Sequence, residues 1–246
     1  MLVCLDPGHG GWDSGAVGPA RTKESDVNLQ IAIKVGNYLS QAATVCFTRT
    51  TDKALADPSG NVSGDLQGRV AISNSKKADC FVSIHCNSAT ANAHGMEIWH
   101  DSQKGKVLAQ KIYDLLLPAV GLTGRGVKDD NKVGHHLYVL VHSDCPAALV
   151  EVAFISNPQE ETLLKAAEFQ DKAAWAIACG IASYLGLNLN TEGDDMELPK
   201  IKVVVGGKEL EGYLYNGTSC APVRALAEAL GKTVTWNEAT KTVTVS

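Results

Sequence analysis

The sequence predicts an α/β fold, a mainly parallel twisted sheet flanked by helices, followed by a second, small α+β domain of ββαββ order. Three observations carry this. From Leu2 to Leu187 short apolar runs alternate with longer stretches of helical period, the pattern of a parallel sheet with helical crossovers. From Asn188 to Pro199 the chain turns polar and acidic, NLNTEGDDMELP, with Gly193 and Pro199 as breakers, which marks a linker. Beyond it, Lys200 to Ser246 has its own strand and helix pattern at a size where a lone fold is marginal but attainable.

The elements follow in order. Leu2 to Leu5 (LVCL) is an apolar run of strand length that meets the turn formers of DPGHGG. Ser25 to Ser40 places Val27, Ile31 and Val35 at i, i+4 and i+8, which is one helix face. Thr44 to Thr48, Cys80 to His85, Met96 to His100, Leu137 to Val141 and Ala148 to Glu151 read as strands. Helices are expected at about Gln67 to Ser75, Lys106 to Leu117 and Gln159 to Tyr184. In the tail, KVVV and EGYLY flank a Gly206-Gly207 turn, Val223 to Leu230 is helical, and TVTWN and KTVTVS close the module.

Composition narrows the function classes. The 246 residues (26.0 kDa) are 45% hydrophobic and 20% charged, enough apolar material for a core and unlike a disordered chain or a coiled coil. The formal net charge is -5, with no Lys/Arg run, so the electrostatic footprint of a nucleic-acid binder is missing and no nucleic-acid partner is expected. The acid is concentrated in the linker, where Glu192, Asp194, Asp195 and Glu197 occur without a basic residue. The longest apolar stretch, Ala173 to Leu185, falls short of the ~20 residues of a membrane-spanning helix, so it reads as a buried helix. Met1 runs straight into the first strand without the charged n-region, apolar h-region or cleavage site of a signal peptide, so the expectation is either unconventional export or a mature fragment. Seven cysteines, an odd number without a C-x-x-C pair, read as buried free thiols of a protein made in the cytoplasm.

Polar residues with chemical potential stand where apolar strands end: His9 after Leu2 to Leu5, His85 closing CFVSIH, and Glu151 closing ALVE. In open α/β sheets ligands bind outside the carboxyl ends of the strands, so these three can converge despite their separation in sequence. Two histidines and a carboxylate with an open fourth position are one way to bind catalytic zinc, and Glu24 is a candidate for that carboxylate. Glu151 is then free for proton transfer in a metal-assisted amide hydrolysis. Each residue also has a plain reading. His9 can be a loop histidine, and Glu24 opens a helix, where the macrodipole favours acids anyway. Glu151 is harder to dismiss, because a carboxylate ending a run buried on both faces needs a partner or a task. Of the remaining histidines, His135 and His136 point opposite ways in an extended segment, and His94 and His100 flank a short strand where a surface imidazole is expected. Cys86 and Cys145 lack an evident activating base, and H-E-x-x-H, G-x-S-x-G and P-loop signatures are missing.

LDPGHGG, the acidic residue before a helix in KESDVNL, SIHCN, RGVK at Arg125 to Lys128, and PAALVEVAFISN together resemble zinc-dependent N-acetylmuramoyl-L-alanine amidases of the amidase_3 type, over about Leu2 to Leu187. The resemblance implies one Zn2+ ion held by His9, Glu24 and His85, with Glu151 as the catalytic carboxylate. It implies a peptidoglycan hydrolase that cleaves the amide between N-acetylmuramic acid and L-alanine. Ala153 stands where the family commonly has glycine, Cys86 where alanine is common, and Val141 where arginine often follows Val-Leu.

The tail resembles the small module named after the copper amine oxidase N-terminal domain, which implies wall attachment. All seven histidines lie at or before His142, so no copper site is expected there. Tyr213, Tyr215 and Trp236 are candidates for stacking on sugars, or else core residues. The expected arrangement is therefore a zinc amidase domain (1–187), an acidic linker (188–199) and a small wall-binding module (200–246). A chain made without a signal peptide and acting at the wall after release suits a phage or prophage endolysin. The alternatives are a host autolysin, a zinc endopeptidase of the stem peptide, and a catalytically dead wall-binding protein. An internal start at Met196 would yield the tail module alone, through which the full chain would self-associate.

Overall fold

The computed structural model describes residues 1–56, 60–134, 136–189, 200–215, 218–237 and 242–246, without the side chains of 133, 200, 213–215, 218–220, 236–237 and 242–243. The chain divides into two compact units, Met1–Leu189 and Asn190–Ser246. Met196, most of the acidic linker, and the side chains of Tyr213, Tyr215 and Trp236 lie outside the described residues.

The first unit runs β1 (Leu2–Pro7), α1 (Glu24–Leu39), β2 (Thr44–Phe47), α2 (Val62–Lys76), β3 (Cys80–Asn87), β4 (Met96–His100), α3 (Gln103–Val120), β5 (Gly124–Asp129), α4 (Asp130–Val133), α5 (Tyr138–Val141), β6 (Ala147–Phe154), α6 (Pro158–Lys165) and α7 (Ala167–Leu185). Its sheet has the order β2-β1-β3-β6-β4-β5. All neighbours are parallel except β4 and β6.

Strand alternation sorts the side chains into two cores. On one face Val82, Ile84, Val150 and Ile98 pack with Ile31 and Val35 of α1, Leu108 and Ile112 of α3, and Ala173 and Ile177 of α7. On the other face Phe81, Leu149 and Trp99 pack with Val70 of α2 and Val139 and Leu140 of α5. Helices α3 and α7 approach closely because α7 presents small residues; a Cβ on Gly180 would lie 2.5 Å from the Ile112 Cα. The second face is covered by less helix, and toward the carboxyl ends of β1, β3 and β6 and the amino end of the antiparallel β4 its inward positions are polar: Asp6, Ser83, His85, Glu151 and Glu97. This is where a site can form.

The structure departs from the expected pattern in several places. Leu137 to Val141, expected as a strand, ends in the single-turn helix α5, since a short continuous apolar run does not distinguish a buried strand from a buried helical turn. The expected helix Gln159 to Tyr184 is two, broken at Ala166, whose backbone is extended (φ -77°, ψ 124°). Strand β5 was not expected. His100, expected at the surface, is 4% exposed. Among the described residues no helix is long and apolar enough to cross a membrane.

The second unit contains β7 (Lys200–Val205), β8 (Lys208–Tyr215), β9 (Thr218–Cys220), α8 (Val223–Ala229), β10 (Val234–Asn237) and β11 (Thr242–Val245). Strands β7, β8 and β9 form an antiparallel sheet, and β10 and β11 an antiparallel pair. Gly206 and Gly207, both at positive φ (58° and 78°), make the β7–β8 turn. The order is thus βββαββ rather than ββαββ, because Thr218–Cys220 adds the short strand β9 ahead of the helix.

Candidate metal centre

The loop after β1 is held from beneath by two buried guanidinium groups. Arg49 donates from Nε to the Pro7 carbonyl (2.9 Å) and from Nη2 to the carbonyls of Gly8 and Ser25 (both 2.8 Å). Arg69 donates from Nη1 to the Pro7 carbonyl and from Nη2 to the His9 carbonyl, both at 2.8 Å. Arg69 is in turn paired with Asp6 (2.8 Å) and Asp65 (2.7 Å), and Asp6 also accepts from Thr48 Oγ1 (2.6 Å) and Ser83 Oγ (2.7 Å). Burial alone would raise the Asp6 pKa, but the Arg69 charge and these hydrogen bonds outweigh it and hold the carboxyl below its usual range. This network satisfies consecutive carbonyls and keeps His9 in a left-handed conformation (φ 61°), a costly state for a non-glycine residue unless its surroundings enforce it.

His9, Glu24 and His85 come together at the mouth of this loop. Their potential ligand atoms all lie within 4.8 Å of one another, so the set could hold a metal ion. Glu24 Oε1 lies 2.9 Å from His85 Nδ1 and 3.2 Å from His9 Nε2, and accepts from the Cys86 amide at 3.1 Å. Its Oε2 accepts from the Ala16 amide at 2.9 Å. Burial opposes the Glu24 charge, but the two histidines overcome this and drive its pKa far below the usual carboxylate value. Burial likewise opposes charge on His9, yet Glu24 and Asp13 raise its pKa to about 9. The second ring nitrogen of His9, Nδ1, lies 2.8 Å from Asp13 Oδ2. A carboxylate on the outer nitrogen of a histidine is the usual means of orienting a metal ligand. The two imidazoles meet edge to face with centroids 4.9 Å apart. Gly8 permits this closeness, since a Cβ there would sit 2.2 Å from the His85 ring.

Glu151 lies one strand away, paired with His85 across β3 and β6, while Glu97 on β4 pairs with Glu151 from the other side. Directly opposed residues share a face, so His85, Glu151 and Glu97 form a row across three strands. Glu151 Oε2 is buried and, among the described residues, has no hydrogen-bond partner. Burial, reinforced by the charges of Glu24 and Glu97, raises its pKa well above the carboxylate norm. An orphaned buried oxygen beside a set of two imidazoles and one carboxylate fits a centre whose metal and substrate complete it.

All four expected site residues are therefore brought to one place. Asp13, Asp6, Arg49, Arg69 and Glu97 were not singled out from sequence; a buried-strand carboxylate in LDP or MEIW was the available signal for Asp6 and Glu97. Two other histidines have partners away from the ligand set: His94 is exposed and bonded to the Asn92 carbonyl, and His142 stacks on Tyr138. His136 is exposed but lines a cavity of about 300 Å³ shared with His9 and His85, Leu66, Tyr138 and Leu149, beside the centre. His135 lies outside the described residues. Burial raises the thiol pKa of both Cys86 and Cys145, which fits neither as a nucleophile.

Comparison with known proteins gives the chain's family. The N-acetylmuramoyl-L-alanine amidase family matches residues 3–183, and the copper amine oxidase N-terminal domain matches residues 204–246. The germination-specific N-acetylmuramoyl-L-alanine amidase of Bacillus subtilis is 37% identical over 193 residues, covering 74% of this chain and 79% of that protein. The endolysin of Bacillus phage SPP1 is 34% identical over 229 residues, covering 87% of this chain and 79% of that one. Among solved structures, the catalytic domain of the amidase CwlV from Bacillus (Paenibacillus) polymyxa var. colistinus superposes with a TM-score of 0.69 at 36% identity, covering 76% of this chain and 99% of that one. Peptidoglycan hydrolysis is the activity these relatives support, and the chain belongs to the N-acetylmuramoyl-L-alanine amidase family.

Proposed function

We propose that the chain hydrolyses the amide between N-acetylmuramic acid and L-alanine, with His9, Glu24 and His85 as ligands of one zinc ion and Glu151 as the catalytic carboxylate. The observation that carries this reading is the unpartnered buried oxygen of Glu151, one strand from His85 and on the face where the three potential ligands meet. When bound, zinc supplies a Lewis acid that polarises the scissile carbonyl and acidifies water. The chain's own residues do the rest. Asp13 keeps the proton on His9 Nδ1, so that Nε2 presents its lone pair. Glu151 accepts a proton from the attacking water at Oε2 and returns it to the leaving nitrogen. A C–O bond forms, the C–N bond breaks, and the products are a lactyl carboxylate and a peptide with a free L-alanine amine.

In this reading residues 1–187 are the catalytic domain, 188–199 the acidic linker and 200–246 a wall-binding module. The protein acts on the wall after release, as an endolysin does. The endolysin relative's match over 87% of the chain, more than the catalytic unit alone, favours this setting over a host autolysin. The test is mass spectrometry of products released from purified peptidoglycan by the zinc-loaded protein, beside Glu151→Ala. Free stem peptides with an L-alanine amino end, absent with the variant, are expected. Cut peptides still joined to muramic acid would instead establish an endopeptidase, and release of nothing by either protein would leave only wall binding.

A further inference from the structure

A basic pair stands next to Glu151 that neither the ligand set nor the proton transfer uses. Edge strand β5 carries Arg125 and Lys128, and both reach the same oxygen of Glu97: Arg125 Nε and Lys128 Nζ each lie 2.6 Å from Glu97 Oε2. The other Glu97 oxygen accepts from Trp99 Nε1 (3.0 Å) and Asn87 Nδ2 (3.1 Å). Aromatic rings brace both cations. The Arg125 guanidinium lies 4.8 Å from the Phe154 ring centroid, and the Lys128 ammonium 4.9 Å from that of Trp99.

Two cations share one anion, so a net positive charge remains beside the catalytic carboxylate. Glu97 is 3% exposed and needs only one partner to be neutralised, so the second cation is surplus to the fold. The Arg125 side chain is 39% exposed, and among the described residues only its Nε makes a hydrogen bond to the protein. Its two terminal nitrogens are left as an open fork, the geometry that takes a carboxylate at two points.

Distance then limits which carboxylate fits. Neighbouring strands are about 4.8 Å apart, so β5 lies about 10 Å from Glu151 on β6, and its long side chains reach back toward β4. An extended peptide advances about 3.5 Å per residue, so the second residue, which begins one residue length beyond the scissile nitrogen and ends two beyond it, carries its carboxylate about 5 to 7 Å away. We propose that Arg125 and Lys128, held in place by Glu97, form a carboxylate subsite that binds the free α-carboxylate on the second residue of the stem peptide. This rests on the amidase reading for its substrate, but the subsite can be tested separately.

The experiment compares a muramoyl tripeptide whose second residue carries a free α-carboxylate with the same compound as its α-carboxamide. The zinc-loaded full chain is expected to prefer the acid by about tenfold in kcat/KM, from the loss of a charge-assisted hydrogen bond in the amide, and the preference should reside in KM. In Arg125→Gln the acid-to-amide ratio falls to about one, and Arg125→Lys, which keeps the charge and the Glu97 pairing but not the fork, falls between. No preference in the wild type, or the same preference in Arg125→Gln, would overturn the subsite. Calorimetric titration with the two corresponding free tripeptides separates binding from hydrolysis. An Arg125-dependent preference for the acid peptide upholds the subsite even if neither muramoyl compound is cut, a result that would sink only the amidase reading. Equal binding of the two peptides, or binding of neither, overturns the subsite whatever the hydrolysis shows.

Discussion

Replacing Arg69 with methionine keeps the length and apolar volume of the stem but removes the guanidinium that ties α2 to the loop bearing His9. In the native chain that group is 2% exposed and serves Asp6, Asp65 and the carbonyls of Pro7 and His9. Without it Asp6, 1% exposed, keeps only the hydroxyls of Thr48 and Ser83, and the His9 carbonyl loses the donor it has. Removing one partner of a buried ion pair costs about 3–5 kcal/mol. For a unit of this size each kcal/mol shifts the melting temperature by about 2–4 °C, so a fall on the order of 10 °C is expected by calorimetry. The double variant Asp6→Asn/Arg69→Met should recover part of that loss, because it also removes the stranded charge. Zinc affinity should fall as well, since the left-handed His9 loses its anchor. A loss below about 1 kcal/mol, or a double variant no more stable than Arg69→Met, would refute the claim that this ion pair organises the loop.

Further expectations follow from the same network and from the centre it supports. The Asp6 pKa is depressed in the folded state, so its contribution is present above the ordinary carboxylate pKa near ~4 and is lost as pH falls through the depressed value; Asp6→Asn should flatten the acid limb of stability in urea titrations at stepped pH. Asp13→Asn should weaken zinc binding about 10- to 100-fold in chelator competition, as loss of a ligand-orienting carboxylate does, and an unchanged affinity would remove Asp13 from that role. Gly8→Ala puts a methyl 2.2 Å from the His85 ring and should abolish tight zinc binding, read by metal content after dialysis. Glu151→Gln should remove activity yet raise the melting temperature of the metal-free protein, because burial penalises ionisation of the carboxyl and a neutral amide escapes that penalty; a lowered melting temperature would mean that the carboxyl supports the fold.

Most of the sheet was legible because its strands are buried on both faces and interrupted by polar turns. Strand β5 was not, since GRGVKD offers a single apolar residue, Val127, and an edge strand needs no more. The break between α6 and α7 at Ala166 carries no glycine or proline to announce it. The residues of the candidate site stood out for a different reason: His9, His85 and Glu151 interrupt apolar runs at strand ends, where ligands bind in such sheets. The supporting shell was hidden. Arg49 and Arg69 sit in segments that read as polar surface, and only the fold brings each within reach of Pro7, some 40 and 60 residues earlier, to be buried against its carbonyl.

The row of His85, Glu151 and Glu97 across β3, β6 and β4 is aligned by backbone ladders rather than by side-chain packing. A slip of one residue in β6 would exchange Glu151 for Val150 or Val152 and turn the carboxylate toward the opposite core. On the proposed role of Glu151, copies in which β6 is out of step are expected to be silent rather than feebly active, so specific activity in a refolded preparation would count the fraction of molecules whose central strands have locked in step. The enzyme is its own assay of correct assembly.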